Sequence, residues 1–187
     1  MFKTGNILLF LALSASGGGQ VDAMEKAMSM VKELGGGLKS KLQSTVKKDG
    51  YAGAVTACGD IAVKMAERIS EKNNATIRRV SLRTRNPLNT PDIFEAKMLE
   101  KMEKDIAQGV LNPAYHEISK DLEGNRTFRF MKPIVTSDFC LNCHGDETKL
   151  RKDVAKELDK RYPSDKARGY SANQIRGAFS VIVPLDK

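Results

Sequence analysis

The sequence predicts an α+β domain with N-terminal helices and a mostly antiparallel sheet, the helices gathered to one side of it. Three observations predict it. Over residues 23–70, apolar side chains recur at i, i+3 and i+4, the period of a helix. Downstream, stretches rich in β-branched and aromatic residues lie between clusters of Asn, Pro, Gly and Asp, the pattern of strands bounded by turns. Two of those stretches are separated by a few turn-forming residues, so the sheet is built on a hairpin and not on parallel crossovers.

The helical stretch is expected to break at Gly35-Gly36-Gly37 and again near Asp49-Gly50, giving two pieces. In the second piece Val55, Cys58, Ala62, Met65 and Ile69 share one apolar face, which turns Cys58 toward the core. Asn73-Asn74 ends it. Residues 77–85 then alternate, with Val80 and Leu82 on one side and Arg79, Ser81, Arg83 and Arg85 on the other, a strand with an arginine-rich face. Asn86-Pro87 and Thr90-Pro91 mark a turn. Asp92 is placed to cap a helix carrying Phe94, Met98, Met102 and Ile106, which Gly109 and Asn112-Pro113 stop. Residues 114–121 and 126–135 read as two strands joined by Leu122-Glu123-Gly124-Asn125. Leu150, Val154 and Leu158 mark a short helix ended by Tyr162-Pro163, and an apolar strand over 177–185 follows.

The chain has 187 residues, the size of one ordinary domain. Met1-Phe2-Lys3, an apolar run over residues 7–13 and small residues after it have the profile of a secretory leader, assigned to residues 1–23, with 24–187 as the mature domain. Cleavage after Ala23 and cleavage near residues 14–16 both fit. No other apolar run reaches the roughly 18 residues a membrane span needs. The net charge is +8, but lysines and arginines alternate with acids and no aromatic-basic stripe appears. Nucleic-acid binding is therefore not expected. Nor is an enzyme: there is no Ser/His/Asp set, phosphate-cradling glycine loop or carboxylate pair.

The strongest chemical signal is Cys140-Leu141-Asn142-Cys143-His144, the C-x-x-C-H string that attaches a covalent c-type haem. Each thiol adds across one haem vinyl group, and His144 then meets the iron as a metal ligand. The expected cofactor is thus one haem c, joined through Cys140 and Cys143. The same two cysteines also admit a disulfide oxidoreductase or a zinc site. Zinc calls for four ligands, and the chain has only one further cysteine and one further histidine. Export and haem attachment support each other, and a periplasmic or otherwise exported location follows. If the pair is consumed by thioethers, Cys58 is the cysteine left over, with a buried structural thiol as its plain role. No Met or His follows Gly145, so a sixth iron ligand must come from upstream or be absent. His116, Met65 and Met131 are candidates, although His116 reads as solvent-facing and the methionines as core. Arg79, Arg83 and Arg85 offer guanidinium groups for haem propionates, against a solvated strand face. Phe128 and Phe130 could lie on the porphyrin or simply pack in the core.

Taken with further strings, these residues resemble a bacterial family of extracytoplasmic c-type haem domains with a PAS-like fold, long known only as a domain of unknown function. The resemblance spans nearly the whole mature chain. It rests on Ala57-Cys58, on residues 81–92 beginning Ser81-Leu82-Arg83-Thr84-Arg85-Asn86-Pro87, and on Lys132-Pro133-Ile134-Val135. Cys140 to Gly145, Tyr162-Pro163-Ser164-Asp165-Lys166-Ala167, Gly169-Tyr170 and Ile175-Arg176-Gly177-Ala178 complete it. Family members form the input end of sensor kinases and chemoreceptors or stand alone as exported proteins, and this chain resembles the free-standing kind. The resemblance implies an axial pair of His144 and a cysteine from the N-terminal helical region, the position that Cys58 occupies. A thiolate ligand favours ferric iron and lowers the reduction potential, and its loss on reduction would open a site for a small gas ligand. The expected function is therefore a sensor of redox state or of a diatomic gas, partnered by a separate redox or signalling protein. A periplasmic electron-transfer cytochrome is the alternative, and a thiol-disulfide oxidoreductase a third.

Overall fold

A computed structural model describes residues 18–120 and 123–185; within it the side chains of residues 18, 56–58 and 60 are outside the description. Helix α1 (Gly18–Asn73) leads to β1 (Thr76–Val80), a short 3-10 turn (Pro87–Asn89) and α2 (Ile93–Ala107). The hairpin β2 (Tyr115–Lys120) and β3 (Arg126–Val135) follows, then α3 (Asp138–His144), α4 (Lys152–Arg161) and β4 (Ile175–Pro184). The four strands form one antiparallel sheet in the order β1-β4-β3-β2. The α+β, PAS-like expectation is met.

The N-terminal helix divides once. Gly50 has φ 71° and ψ −177°, a conformation essentially reserved for glycine, and the helix runs in two limbs on either side of it. The limbs lie antiparallel: Lys72 Nζ bonds Glu33 Oε2 at 3.2 Å, and the Met65 methyl packs against Gly37. Gly35-Gly36-Gly37, expected as a second break, is helical. Gly35 instead admits the Phe179 ring and Gly37 admits Met65, since a Cβ would come within 3.2 Å and 2.3 Å of them. Gly50→Ala is expected to lower stability by about 1–3 kcal/mol; an unchanged urea midpoint would show that Gly50 does not set the reversal.

Both limbs cover one sheet face, where Met30, Leu34 and Ile69 meet Phe128, Phe130 and Val181. Phe128 and Phe130 are thus core residues against α1. Contrary to the expectation of helices on one side only, α2 covers the opposite face, with Leu99 and Met102 against Val80, Met131 and Ala178. The reason lies in the strands. β3 and β4 carry apolar side chains at both parities, so one layer of helices leaves half of them in water. α2 begins as expected, with Asp92 Oδ1 accepting from Glu95 N–H and Glu95 Oε2 from Asp92 N–H, both at 2.8 Å. Residues 18–23, assigned to the leader, form the first turns of α1, and Ala23 is buried in the core. The apolar run at 7–13 and the cleavage position near 14–16 lie outside the described residues. Among the described residues, no helix is long and apolar enough to cross a membrane.

Candidate functional site

β1 is shorter than its alternation promised. At Ser81 the chain leaves the sheet: its N–H donates to Asn89 O at 3.1 Å, and its hydroxyl lies 2.8 Å from Arg176 O. Asn86 then caps the Pro87 turn by accepting from Leu88 N–H at 3.0 Å. Of the three arginines expected on the strand, only Arg79 is on it. Arg83 and Arg85 stand on the loop that follows.

That departure opens a cavity of about 300 Å³ between the limbs of α1 and the ends of β1 and β4. Leu38, Leu42 and Val55 give it apolar walls, and Cys140, Cys143 and His144 all border it. Neither Cys140 nor Cys143 is in a disulfide. Cys58 lies on the second limb; its side chain is outside the described residues, while Val55 and Gly59 of the same stretch line the cavity. At Gly59 a Cβ would stand 2.3 Å from the Tyr162 hydroxyl, so a larger residue there would displace the tip of that ring.

His144 ends α3 and is fixed by backbone contacts from the loop before β4. Its carbonyl accepts from Tyr170 N–H, and the Gly145 carbonyl from Gly169 N–H, both at 2.8 Å. Its Nδ1 lies 2.7 Å from Ala167 O. A carbonyl oxygen can only accept, so Nδ1 carries the hydrogen and Nε2 keeps its lone pair, the tautomer of a metal-ligating imidazole. Burial, then the charges of Arg176 and Arg85, hold the His144 pKa well below 6.5 and outweigh the opposing influence of Ala167 and Asp165. The ring is neutral at pH 7.

The arginines divide by task. Arg85 lines the cavity, but its Nε donates to Asp165 Oδ2 at 3.0 Å and its Nη2 to Cys143 O at 2.6 Å, clamping the C-x-x-C-H helix to the loop. Asp165 also accepts from Arg168 Nε at 3.0 Å and from Ala167 N–H at 2.9 Å, so the carbonyl that orients His144 is itself held. Arg83 turns away from the cavity: its guanidinium donates to Lys166 O and Arg168 O and stacks on Tyr170, 4.1 Å from the ring centroid. Arg79 lines the cavity.

Arg176 had no predicted role beyond its place in a family string. It lies on β4 and borders the cavity, with Nε 3.3 Å from His144 Nδ1 and 3.5 Å from Nε2. Its Nη1 donates to Ser81 Oγ at 2.8 Å and to Arg83 O at 3.2 Å. Burial, helped by Arg85 and Arg79, brings its pKa down to about 10 against the pull of Tyr170 and Asp165. A charged residue opening an otherwise apolar strand was the available signal. The other ligand candidates lie elsewhere. His116 is exposed, Met131 is buried under α2, Met65 packs on Gly37, and none of them lines the cavity.

No curated protein matches the chain. The crystal structure of the cyanobacterial heme-protein Tll0287 has the same fold: TM-score 0.62 at 24% identity, covering 94% of this chain and 99% of that one. The family model described as Tll0287-like matches residues 19–184, nearly the whole described chain. This protein belongs to the Tll0287-like family.

Proposed function

We propose that this protein is an exported haem protein with one covalent haem c, acting as a sensor of redox state or of a diatomic gas. The observation that carries the proposal is the convergence of Cys140, Cys143 and a neutral His144 of fixed tautomer on one cavity. The residues fit the group. The walls are apolar, both thiols of the pair border the cavity, and Arg79, Arg85 and Arg176 make the lining cationic, as suits a cofactor with two carboxylates. The name of the relative, a heme-protein, points the same way. When bound, the haem supplies a one-electron iron couple and axial positions for ligands.

The chain's own residues divide the work between two structural units. The loops beside the sheet hold His144 through Ala167, Asp165 and Arg85, a fixed hydrogen-bonded arrangement that an electron carrier also needs. Cys58, the proposed second ligand, lies on the limb between Gly50 and β1, a helix separate from the elements that hold His144, so its loss would be felt by that helix. That asymmetry favours the sensor.

Expression with a haem-attachment system, followed by denaturation and an alkaline pyridine spectrum, is expected to show haem retained at one per chain. A chain with no retained haem and a titratable dithiol would instead support thiol-disulfide exchange. Cys58→Ala is expected to keep the haem and lose the low-spin thiolate signal in ferric electron paramagnetic resonance; an unchanged signal dismisses Cys58. Carbon monoxide binding to the reduced protein is expected of the sensor, and complete inertness would favour the electron carrier.

A further inference from the structure

We infer that Arg176 is a positioning residue that raises the reduction potential of the His144-ligated iron by holding a positive charge against the imidazole. The inference rests on the haem reading above. Because Nδ1 of His144 already donates to Ala167, it has no lone pair for Arg176 Nε. Near-equal distances of 3.3 Å and 3.5 Å to the two ring nitrogens place Nε over the ring with its N–H directed at it, a contact of the cation with the ring as a whole. The far end of the guanidinium is anchored independently, by Ser81 Oγ and Arg83 O on Nη1. Its position therefore does not depend on what fills the cavity.

The charge is also not locked in an ion pair. Arg85 and Arg168 share Asp165, whereas among the described residues no carboxylate pairs with Arg176. A fixed positive charge beside the axial ligand disfavours the additional positive charge of ferric iron and draws electron density from the ring. It thus opposes the Ala167 carbonyl, which makes the imidazole a stronger donor. Two levers of opposite sign act on one ring, and Arg176 is the one carrying a full charge.

The test is a spectroelectrochemical titration of the holoprotein. Arg176→Met removes the charge and keeps the apolar stem. The ratio of reduced to oxidised protein at a fixed potential is expected to fall about tenfold, which is a midpoint lower by about 59 mV for one electron. Arg176→Lys is expected to recover most of that fall, because it restores the charge without the guanidinium's own contacts. A midpoint unchanged in Arg176→Met, with haem still covalently held, overturns the inference, as does a Lys variant that falls as far as the Met variant. Ser81→Ala, which removes one anchor, decides the matter if Arg176→Met does not fold: a smaller fall in the same direction is expected, and a rise or no change counts against Arg176. Absence of covalent haem from the wild type removes the haem reading itself, an outcome the pyridine spectrum separates from all of these.

Discussion

Asp165→Ala is expected to lower stability by about 3–5 kcal/mol, the cost of breaking a buried ion pair from one side. The carboxylate is 2% exposed, and its partners Arg85 and Arg168 are 13% and 12% exposed. Removing it leaves two guanidinium groups without their shared anion and the Ala167 N–H without its acceptor. For a domain of this length the melting temperature should fall by roughly 6–20 °C. The effect has a pH signature. Burial works to raise the Asp165 pKa, but the bond and charge of Arg85, the Ala167 N–H and Arg168 outweigh it, so the folded value lies below the ordinary one. A depressed carboxyl pKa stabilises the fold above the unfolded value of about 3.9 and loses that contribution as pH falls through the folded value. The gap between wild type and variant should therefore be constant from about pH 5 to 7 and narrow below about pH 4. A gap under about 1 kcal/mol, or one that persists undiminished at pH 3, would sink the clamp.

The second large effect is expected from Gly177→Ala, at about 2–3 kcal/mol. A Cβ there would stand 2.2 Å from the Val80 carbonyl oxygen and 3.2 Å from Ser81 Cβ. The first obstacle is backbone and cannot rotate aside. Gly177 lies where β4 passes between β3 and the end of β1, opposite Ile134 and beside the irregularity at Ile134/Val135. Relief would separate β1 from β4 and carry Ser81 away from Arg176. Gly36→Ala is the matching control: nothing lies within 4 Å of its Cβ and the residue is helical, so stability should rise by about 0.5–1 kcal/mol. Equal responses at the two glycines would show that close approach is not what Gly177 provides.

Local rules made much of this legible. The β3 limits, the Asp92 cap and the helix ending before Gly109 all follow from chemistry within a few residues. The thiol pair and His144 were equally plain, because the C-x-x-C-H spacing that brings them to one cavity lies within five residues. What escaped depends on contacts distant in sequence. Alternation carried β1 on to residue 85, but Ser81 exchanges its strand partners for Asn89 and Arg176, which no local pattern reveals. Arg83 and Arg85 looked like one face of a strand and instead anchor the loop before β4. Gly35-Gly36-Gly37 looked like a hinge because glycine weakens helices, yet packing against Phe179 and Met65 outweighs that cost. The family string Tyr162-Pro163-Ser164-Asp165-Lys166-Ala167 acquires a physical meaning only once the loop is seen closing over His144.

The strand order has a consequence in time. β4 comes last of the four strands along the chain, yet it lies inside the sheet, bonded to both β1 and β3. Until it has been made, the β2–β3 hairpin and β1 have no shared partner, and the loop that pins His144 has no sheet to lean on. A chain emerging from its N-terminus thus presents Cys140 and Cys143 in an open segment before the fold that encloses them exists. Access to both thiols is widest then, and in the finished fold each is left half-buried beside the cavity.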